Sequence, residues 1–428
     1  MNGAAMMAWI GDLYPICRSI TGEGLRQTLR SVAERVPARL HEIPSGTPVL
    51  DWTVPREWNL RSAWIEDASG RRVVDAGDSN LHVVNYSTPI RRRMELAELL
   101  PHLHSLPDHP DWIPYRTSYY REDWGFCLRH RDLVGLVEGE YEVCVDSTLE
   151  DGALTYAELV LSGDVEEEVL LTTHACHPSM ANDNLSGIAV LTALAQRLQA
   201  RERRFTYRLL WMPGTIGAIT WLEKHRADVD RVRHGLVLAG LGDAGAFTYK
   251  RSRRGDAEID LAVAEVLGEG GGAPRLVDFS PYGYDERQFC SPAFDLPVGR
   301  FSRSEYGSYP EYHSSADDLG FVSAGQLEAS VDALDAILRR LESRRFYRNT
   351  APEGEPQLGR RGLYDETGEV EDWPRVRLAL LWVLNLSDGL HSLESIAARS
   401  GLPMAAIEAA ALRLLAAGLL SSAQGEAR

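Results

Sequence analysis

The stretch from Val169 to Gly187 constrains this chain more than any other. The apolar run Val169-Leu-Leu-Thr-Thr173 is short, partly β-branched and without polar alternation, so it reads as a strand buried on both faces. It ends in His174-Ala-Cys176-His177-Pro-Ser-Met-Ala-Asn182-Asp183-Asn184, and a helix follows from Leu185, with Leu191, Leu194 and Leu198 at helical spacing. Polar side chains at such a strand-to-helix crossover sit past the carboxyl end of a strand, where open α/β sheets place their ligands. Neutral imidazole and carboxylate together suit zinc.

The remaining runs extend this pattern. Tyr207 to Met212 and Gly235 to Ala239 read as further buried strands, each closing in a polar loop, Pro213-Gly214-Thr215-Ile216-Gly217 and Gly240-Leu-Gly-Asp243. Alternating strands and helices predict a doubly wound α/β core. A surface helix pair is expected within Met7 to Val36, with Thr21 capping the second helix and Arg26 and Arg30 on its exposed face; the alternative is that Arg18 or Arg26 reaches the site. Ser323 and Gln326 form a capping box for a helix that runs to about Arg345 with Leu327, Val331, Leu334, Leu338 and Leu341 inside.

The texture changes between Asp51 and Gly139, where Trp, Tyr and Pro are frequent. Trp58 to Ile65 and Arg71 to Asp75 flank a hairpin turn, and Leu81 to Tyr86 reads as another strand. Tyr119, Tyr120 and Trp124 belong to this β-rich insert as core aromatics, or alternatively as walls of a cleft. Glu140 to Ser147 and Ala153 to Leu161 read as a strand pair. Phe346 to Gly362 reads as a linker, and three helical runs follow, joined in helix-turn-helix fashion at Ser400-Gly-Leu-Pro403. The resulting division is a core of 1–50 and 140–346, an insert of 51–139 and a winged-helix-like domain of 363–428.

Charge excludes some functions. A formal net charge of −17 disfavours phosphate-backbone binding, and the would-be recognition helix carries one Arg and one Glu, so no nucleic-acid partner is expected and a packing or homodimer role is preferred. Five widely spaced cysteines fit reduced thiols in a cytoplasm better than a disulfide framework. The apolar patch Ala4 to Ile10 lacks the flanks of a signal peptide, and no run approaches the ~20 apolar residues of a membrane span.

Three separated segments end in ligand-type residues: His177 or His174, Asp183, and His313. Asp317 follows His313 closely enough to orient it. Two His and one carboxylate with an open fourth position make a catalytic zinc arrangement; the competing reading is an ordinary polar rim on an α/β sheet.

The strings Leu13-Tyr-Pro-Ile-Cys-Arg-Ser-Ile-Thr-Gly22, Ile113-Pro-Tyr-Arg-Thr-Ser-Tyr-Tyr120, Trp124-Gly-Phe-Cys127, Cys176-His-Pro-Ser-Met-Ala-Asn-Asp183, Tyr249-Lys-Arg-Ser-Arg253, Asp285-Glu-Arg-Gln288 and Pro310-Glu-Tyr-His313 span almost the whole chain. With them the chain resembles a bacterial aminopeptidase-like family that carries an inserted domain of unknown function and a C-terminal winged helix, related to the co-catalytic zinc aminopeptidases. The resemblance implies a zinc-peptidase fold and one Zn2+ held by His177, ahead of His174, with Asp183 and His313. It also implies a general-base Glu in a Pro-Glu-Thr-Ile-Gly string.

This chain departs at that position, reading Pro213-Gly214-Thr215. Loss of a general base costs roughly 10²–10⁴-fold in rate. Glu311 and Glu286 are the carboxylates expected to substitute, and Arg287, with Arg253, Lys250 and Tyr249, is expected to face the cleft and suit an anionic substrate group. Two functions follow. One is a zinc-dependent hydrolase acting on an amide bond of a peptide or small N-acyl substrate. The other is a zinc-binding member that has lost peptidase activity and serves a different reaction in a biosynthetic pathway, or only binds ligand. Asp243 is expected to lie out of register for a ligand.

Overall fold

A computed structural model of the chain describes residues 1–271, 273–364 and 373–423. An eight-stranded mixed sheet forms the core, in the order Arg39–Pro44, Ala153–Leu161, Thr206–Met212, Glu168–His174, Val232–Leu238, Val298–Ser302, Thr248–Lys250 and Arg275–Val277. The four central strands run parallel, and antiparallel pairings flank them on both sides.

Glu168–His174 lies between two parallel neighbours and is buried at every residue, as its unbroken apolar run requires. Its side chains alternate between two cores. Val169 and Leu171 join a cluster under helices Gly3–Leu13, Glu23–Ala33, Gly187–Gln199 and Ala324–Glu342, whereas Leu170 joins a cluster under helix Ile216–Lys224. Full burial of each is worth about 1.5–3 kcal/mol, so the strand that carries His174 is firmly held. Ser323 Oγ accepts the Gln326 N–H at 3.3 Å, and the five predicted inner residues of the helix that follows are all buried.

Several local expectations are corrected. Thr21 does not cap the second helix, whose N-cap is Gly22; its hydroxyl donates to Arg56 O and accepts from the Trp58 N–H. Arg26 is drawn into carboxylates of Glu23, Glu42 and Glu57 on the surface, away from the site. Glu140–Glu150 and Ala153–Leu161 do not pair with each other. The first is the middle of the insert's four-stranded sheet, between Glu57–Asp67 and Ile90–Glu95, and the second enters the main sheet. Leu81–Tyr86 is a single 3₁₀ turn, Asn80–His82, followed by isolated bridges, because its backbone bonds go to loop residues rather than to one neighbouring strand.

The segment read as a linker contributes a strand. Phe346–Asn349 is the centre of a three-stranded sheet with Asp388–Ser392 and Leu420–Ser422, packed on helices Trp373–Leu386, Leu393–Ser400 and Met404–Ala416. The predicted third domain includes 365–372 and 424–428, which lie outside the described residues. Glu258 of the core is 5% exposed and accepts both the N–H and the hydroxyl of Ser392, so the two units meet through a buried carboxylate. Among the described residues no helix is long and apolar enough to cross a membrane.

Candidate metal centre

Four side chains converge past the carboxyl end of Glu168–His174. His174 Nε2 lies 2.9 Å from Asp183 Oδ1 and His313 Nε2 lies 3.1 Å from Asp183 Oδ2. The ring of His177 stands 4.7 Å from that of His174 and 5.3 Å from that of His313. The ligand-type atoms of His174, His177 and Asp183 all fall within 4.8 Å of one another. His174, His177 and Asp183 thus form the close group, and His313 adjoins it through Asp183.

The loop is built so that Asp183 alone among its polar residues faces the centre. Asn182 Oδ1 accepts the Gly242 N–H and its Nδ2 donates to Asp243; Asn184 Oδ1 accepts the Gly240 N–H and its Nδ2 donates to Thr173 Oγ1; Ser186 Oγ accepts the Leu241 N–H. These bonds stitch the loop to the turn after the next parallel strand. Asp243 is therefore a structural acceptor, which Ser304 Oγ also engages.

Asp317 corrects an expectation. It does not orient His313; its two oxygens accept the N–H groups of Asn182 and Asp183, at 2.6 and 2.8 Å. Burial pushes its pKa up to about 7, against the pull of those backbone donors. Arg18 is fully buried and does reach the site, through backbone: its Nε donates to His177 O at 2.7 Å.

Electrostatics favour an anionic Asp183 and a neutral His177. Burial opposes the charge on Asp183, yet His177, His174 and His313 outweigh it and hold its pKa well below the usual carboxylate range. Burial holds His177 well below the usual imidazole value, despite the attraction of Asp183. Three buried polar atoms, His177 Nδ1, Asp183 Oδ2 and His313 Nε2, have no hydrogen-bond partner, since the 3.1 Å approach of the last two lacks hydrogen-bond geometry. The close group of His174, His177 and Asp183, with His313 against the other oxygen of Asp183, is a donor set that fits a divalent cation, zinc by donor type. His174 also bonds Asp183 Oδ1 and so orients the carboxylate.

The walls are aromatic. Tyr115 from the insert stands edge-on to both His177 and His313, at 5.2 and 5.1 Å, and its backbone N–H donates to His313 O. Tyr312 stacks on His313 at 3.9 Å, and Tyr284 on His174 at 5.2 Å. Of the predicted wall residues, Tyr119 bonds Tyr115 through its hydroxyl and Tyr120 packs edge-on to Trp52, whereas Trp124 stacks on His102. Tyr115 and Tyr284 carry no local sequence signal, because their roles depend on which loops the sheet brings together.

Gly214 donates its N–H to Cys176 Sγ, and a Cβ built there would find Cys176 Sγ and His174 Cβ at 3.7 Å, an ordinary contact distance. Of the carboxylates expected to substitute, Glu286 is buried in an ion pair with Lys250 at 2.9 Å, and Glu311 is half-buried with its carbonyl accepting the Ser314 hydroxyl. Arg287 has a buried Nε without a partner. The other residues expected to meet an anionic group are committed elsewhere: Lys250 to Glu286 and Tyr282 O, Arg253 to Asp295, and Tyr249 to Asp260. The carboxylate that does adjoin Gly214 is Asp285, 3% exposed, whose Oδ1 accepts the Thr215 N–H at 2.6 Å. Burial pushes its pKa up to about 6, against that hydrogen bond and the attraction of His174.

The mixed sheet with its covering helices has the fold of the zinc aminopeptidases. The zinc aminopeptidase BSAP of Bacillus subtilis superposes with a TM-score of 0.58 over 79% of this chain and 94% of that one, at 12% identity, a likeness of fold. The chain belongs to the family of a domain of unknown function, DUF4910, matched over residues 7–344, and continues into a winged helix-turn-helix matched over 345–422. A protein of Clostridium acetobutylicum named "Putative polysaccharide biosynthesis protein with aminopeptidase-like domain" is 46% identical over 98% of this chain and 96% of its own length. A crystal structure from Clostridium acetobutylicum, described as a "putative peptidase", superposes with a TM-score of 0.81 at 44% identity, over 98% of this chain and 96% of that one.

Proposed function

We propose that this chain is a zinc-dependent hydrolase with one metal ion, acting on an amide bond of a peptide or a small N-acyl substrate. The observation that carries the reading is the gathering of His174, His177, Asp183 and His313 at the strand ends, with His177 Nδ1, Asp183 Oδ2 and His313 Nε2 buried and unpartnered; in this reading those three atoms are the ligands. Zinc held there polarises a carbonyl and lowers the pKa of a bound water to ~7. The chain's own residues orient the rest. His174 fixes the Asp183 carboxylate, Asp317 fixes its backbone, and Tyr115 and Tyr312 hold the imidazole of His313.

The test is elemental analysis together with turnover of aminoacyl 4-nitroanilides and N-acetylated amino acids and sugars. About one zinc per chain and chelator-sensitive release of product are expected. Absence of zinc after incubation with it would sink the reading. Gly214→Glu, whose Cβ meets no close contact, is expected to raise turnover by about tenfold or more.

Gly214 itself favours a second reading, in which peptide hydrolysis is lost and the zinc site serves another reaction in a biosynthetic pathway. The name of the Clostridium relative points to polysaccharide biosynthesis, and an N-acyl sugar is a substrate on which both readings meet. The five cysteines are all free, in keeping with a cytoplasmic protein. The helix Met404–Ala416 keeps Leu412 66% exposed and holds Glu408 against Arg345, which supports packing or dimerisation over nucleic-acid binding. A salt-sensitive mobility shift with duplex DNA would reverse that reading.

A further inference from the structure

We infer that Asp285 is the catalytic general base of this site, standing in from a different loop for the side chain that Gly214 lacks. The inference rests on the hydrolase reading above. Its ground is geometric. Asp285 Oδ1 is anchored by the Thr215 N–H at 2.6 Å, next to Gly214, whose own N–H is turned onto Cys176 Sγ. Asp285 Oδ2 has no hydrogen-bond partner among the described residues, and it is not among the atoms sealed from solvent. One oxygen is thus fixed and the other left free and reachable, which is what a proton acceptor needs.

The anchored carboxylate adjoins the His174 side of the cluster. A Cβ at position 214 would stand 3.7 Å from both His174 Cβ and Cys176 Sγ, and Asp285 acts electrostatically on those same two side chains. Tyr284, its chain neighbour, stacks on the His174 ring at 5.2 Å and ties the loop to the cluster. The adjoining Glu286 is paired with Lys250 through Oε1 and its unpartnered Oε2 is sealed from solvent, so of the two neighbouring carboxylates Asp285 has the free oxygen open to water. The charged and titratable groups around Asp285 are His174, Cys176, Glu286, Arg287 and Tyr120. Its pKa, raised to about 6, agrees with a base that works near neutral pH.

The step balances. Asp285 Oδ2 takes a proton from the attacking water, whose oxygen bonds to the amide carbon while the C=O π pair moves onto the carbonyl oxygen. Collapse breaks the C–N bond, its electron pair leaves on nitrogen, and Asp285 returns the proton to that nitrogen. A carboxylic acid and an amine leave, and the carboxylate is regenerated.

The experiment uses the full-length chain, zinc-loaded for kinetics on the 4-nitroanilides and Co2+-loaded for visible spectroscopy. Asp285→Asn preserves the bond from the Thr215 N–H and is expected to lower kcat about 10²–10⁴-fold with one zinc kept and KM little changed. It is also expected to abolish the acid limb of the kcat–pH profile and to move the pH midpoint of the Co2+ absorption change by about half a unit or more. In the Asp285→Asn background, Gly214→Glu is expected to recover about tenfold or more of the lost rate. An Asp285→Asn protein that keeps its zinc and more than about a third of wild-type kcat, or leaves the Co2+ midpoint unmoved, overturns the inference and spares the hydrolase reading. A wild-type protein that holds zinc but cleaves no substrate defeats the hydrolase reading instead. The Co2+ midpoint then decides Asp285 alone: a shift upholds its place at the reacting water and no shift removes it.

Discussion

Asp317 grips the backbone of Asp183: its Oδ2 accepts the Asp183 N–H at 2.8 Å while its Oδ1 accepts the neighbouring Asn182 N–H at 2.6 Å. The loop's own ladder to Gly240–Gly242 fixes its flanks, and this carboxylate fixes its apex. Asp317→Ala frees two backbone donors and lets the Asp183 carboxylate wander. Zinc affinity, read by competition with a chromogenic chelator, is expected to fall about 10–100-fold, with no ligand removed.

The ligand set and its outer partner are separable. His177→Ala, Asp183→Ala and His313→Ala are each expected to abolish stoichiometric zinc in elemental analysis, since each removes one of the three buried, unpartnered donor atoms assigned as ligands. His174→Ala is expected to retain zinc with weaker affinity, because its contact is with Asp183 Oδ1. Full zinc in His313→Ala would place the ion instead among His174, His177 and Asp183.

Position 214 is not a glycine for reasons of packing. The nearest atoms to an added Cβ lie at 3.7 Å, an ordinary contact distance. Gly214→Ala is expected to shift the melting temperature by less than about 2 °C, in line with ordinary uncrowded sites.

His234 makes stability depend on pH. It lies in strand Val232–Leu238, 5% exposed, with Nδ1 buried and unpartnered. Burial lowers its pKa to about 3, and Arg204, Arg233 and Arg344 add to the effect. The unfolded chain binds its proton below about 6.5 and the folded chain does not, so the contribution is complete above that pH and is lost as pH falls toward 3. Between pH 7 and pH 5 this residue should remove about 2 kcal/mol of unfolding free energy. Urea denaturation of wild type and His234→Gln at both pH values measures it, and the variant is expected to show a slope smaller by that amount.

Glu258 joins the winged helix to the core. It accepts the Ser392 N–H and hydroxyl at 2.7 and 2.8 Å, with Arg344 Nε at 3.5 Å. Glu258→Ala strands buried donors and is expected to cost about 2–4 kcal/mol. Limited proteolysis near Arg345 should accelerate in parallel as the two units part.

The main strands and helices were legible because burial periodicity is local. Val169–Thr173, Tyr207–Met212 and the Leu327-to-Leu341 face carry their environment in consecutive residues. The winged helix-turn-helix was legible for the same reason, and the family was legible in the motif strings that span the chain. Partnerships were not. Glu140–Glu150 has the alternation of a strand in either sheet, and only packing sends it to the insert. Phe346–Asn349 lies in a charge-rich stretch, yet strands from both ends of the winged helix complete it.

The same division runs through the site. Chain chemistry dictates that imidazoles and carboxylates end these strands, because those residue types are present whatever the fold. Tertiary structure alone decides that Asp317 serves Asp183 rather than His313, and that Tyr115 of the insert stands between two imidazoles. It also decides that of the adjacent pair Asp285 and Glu286, one meets the Thr215 N–H and the other Lys250. Neighbouring side chains on a short turn point in different directions. Each then takes the partner that a remote loop delivers, and no local pattern records that delivery.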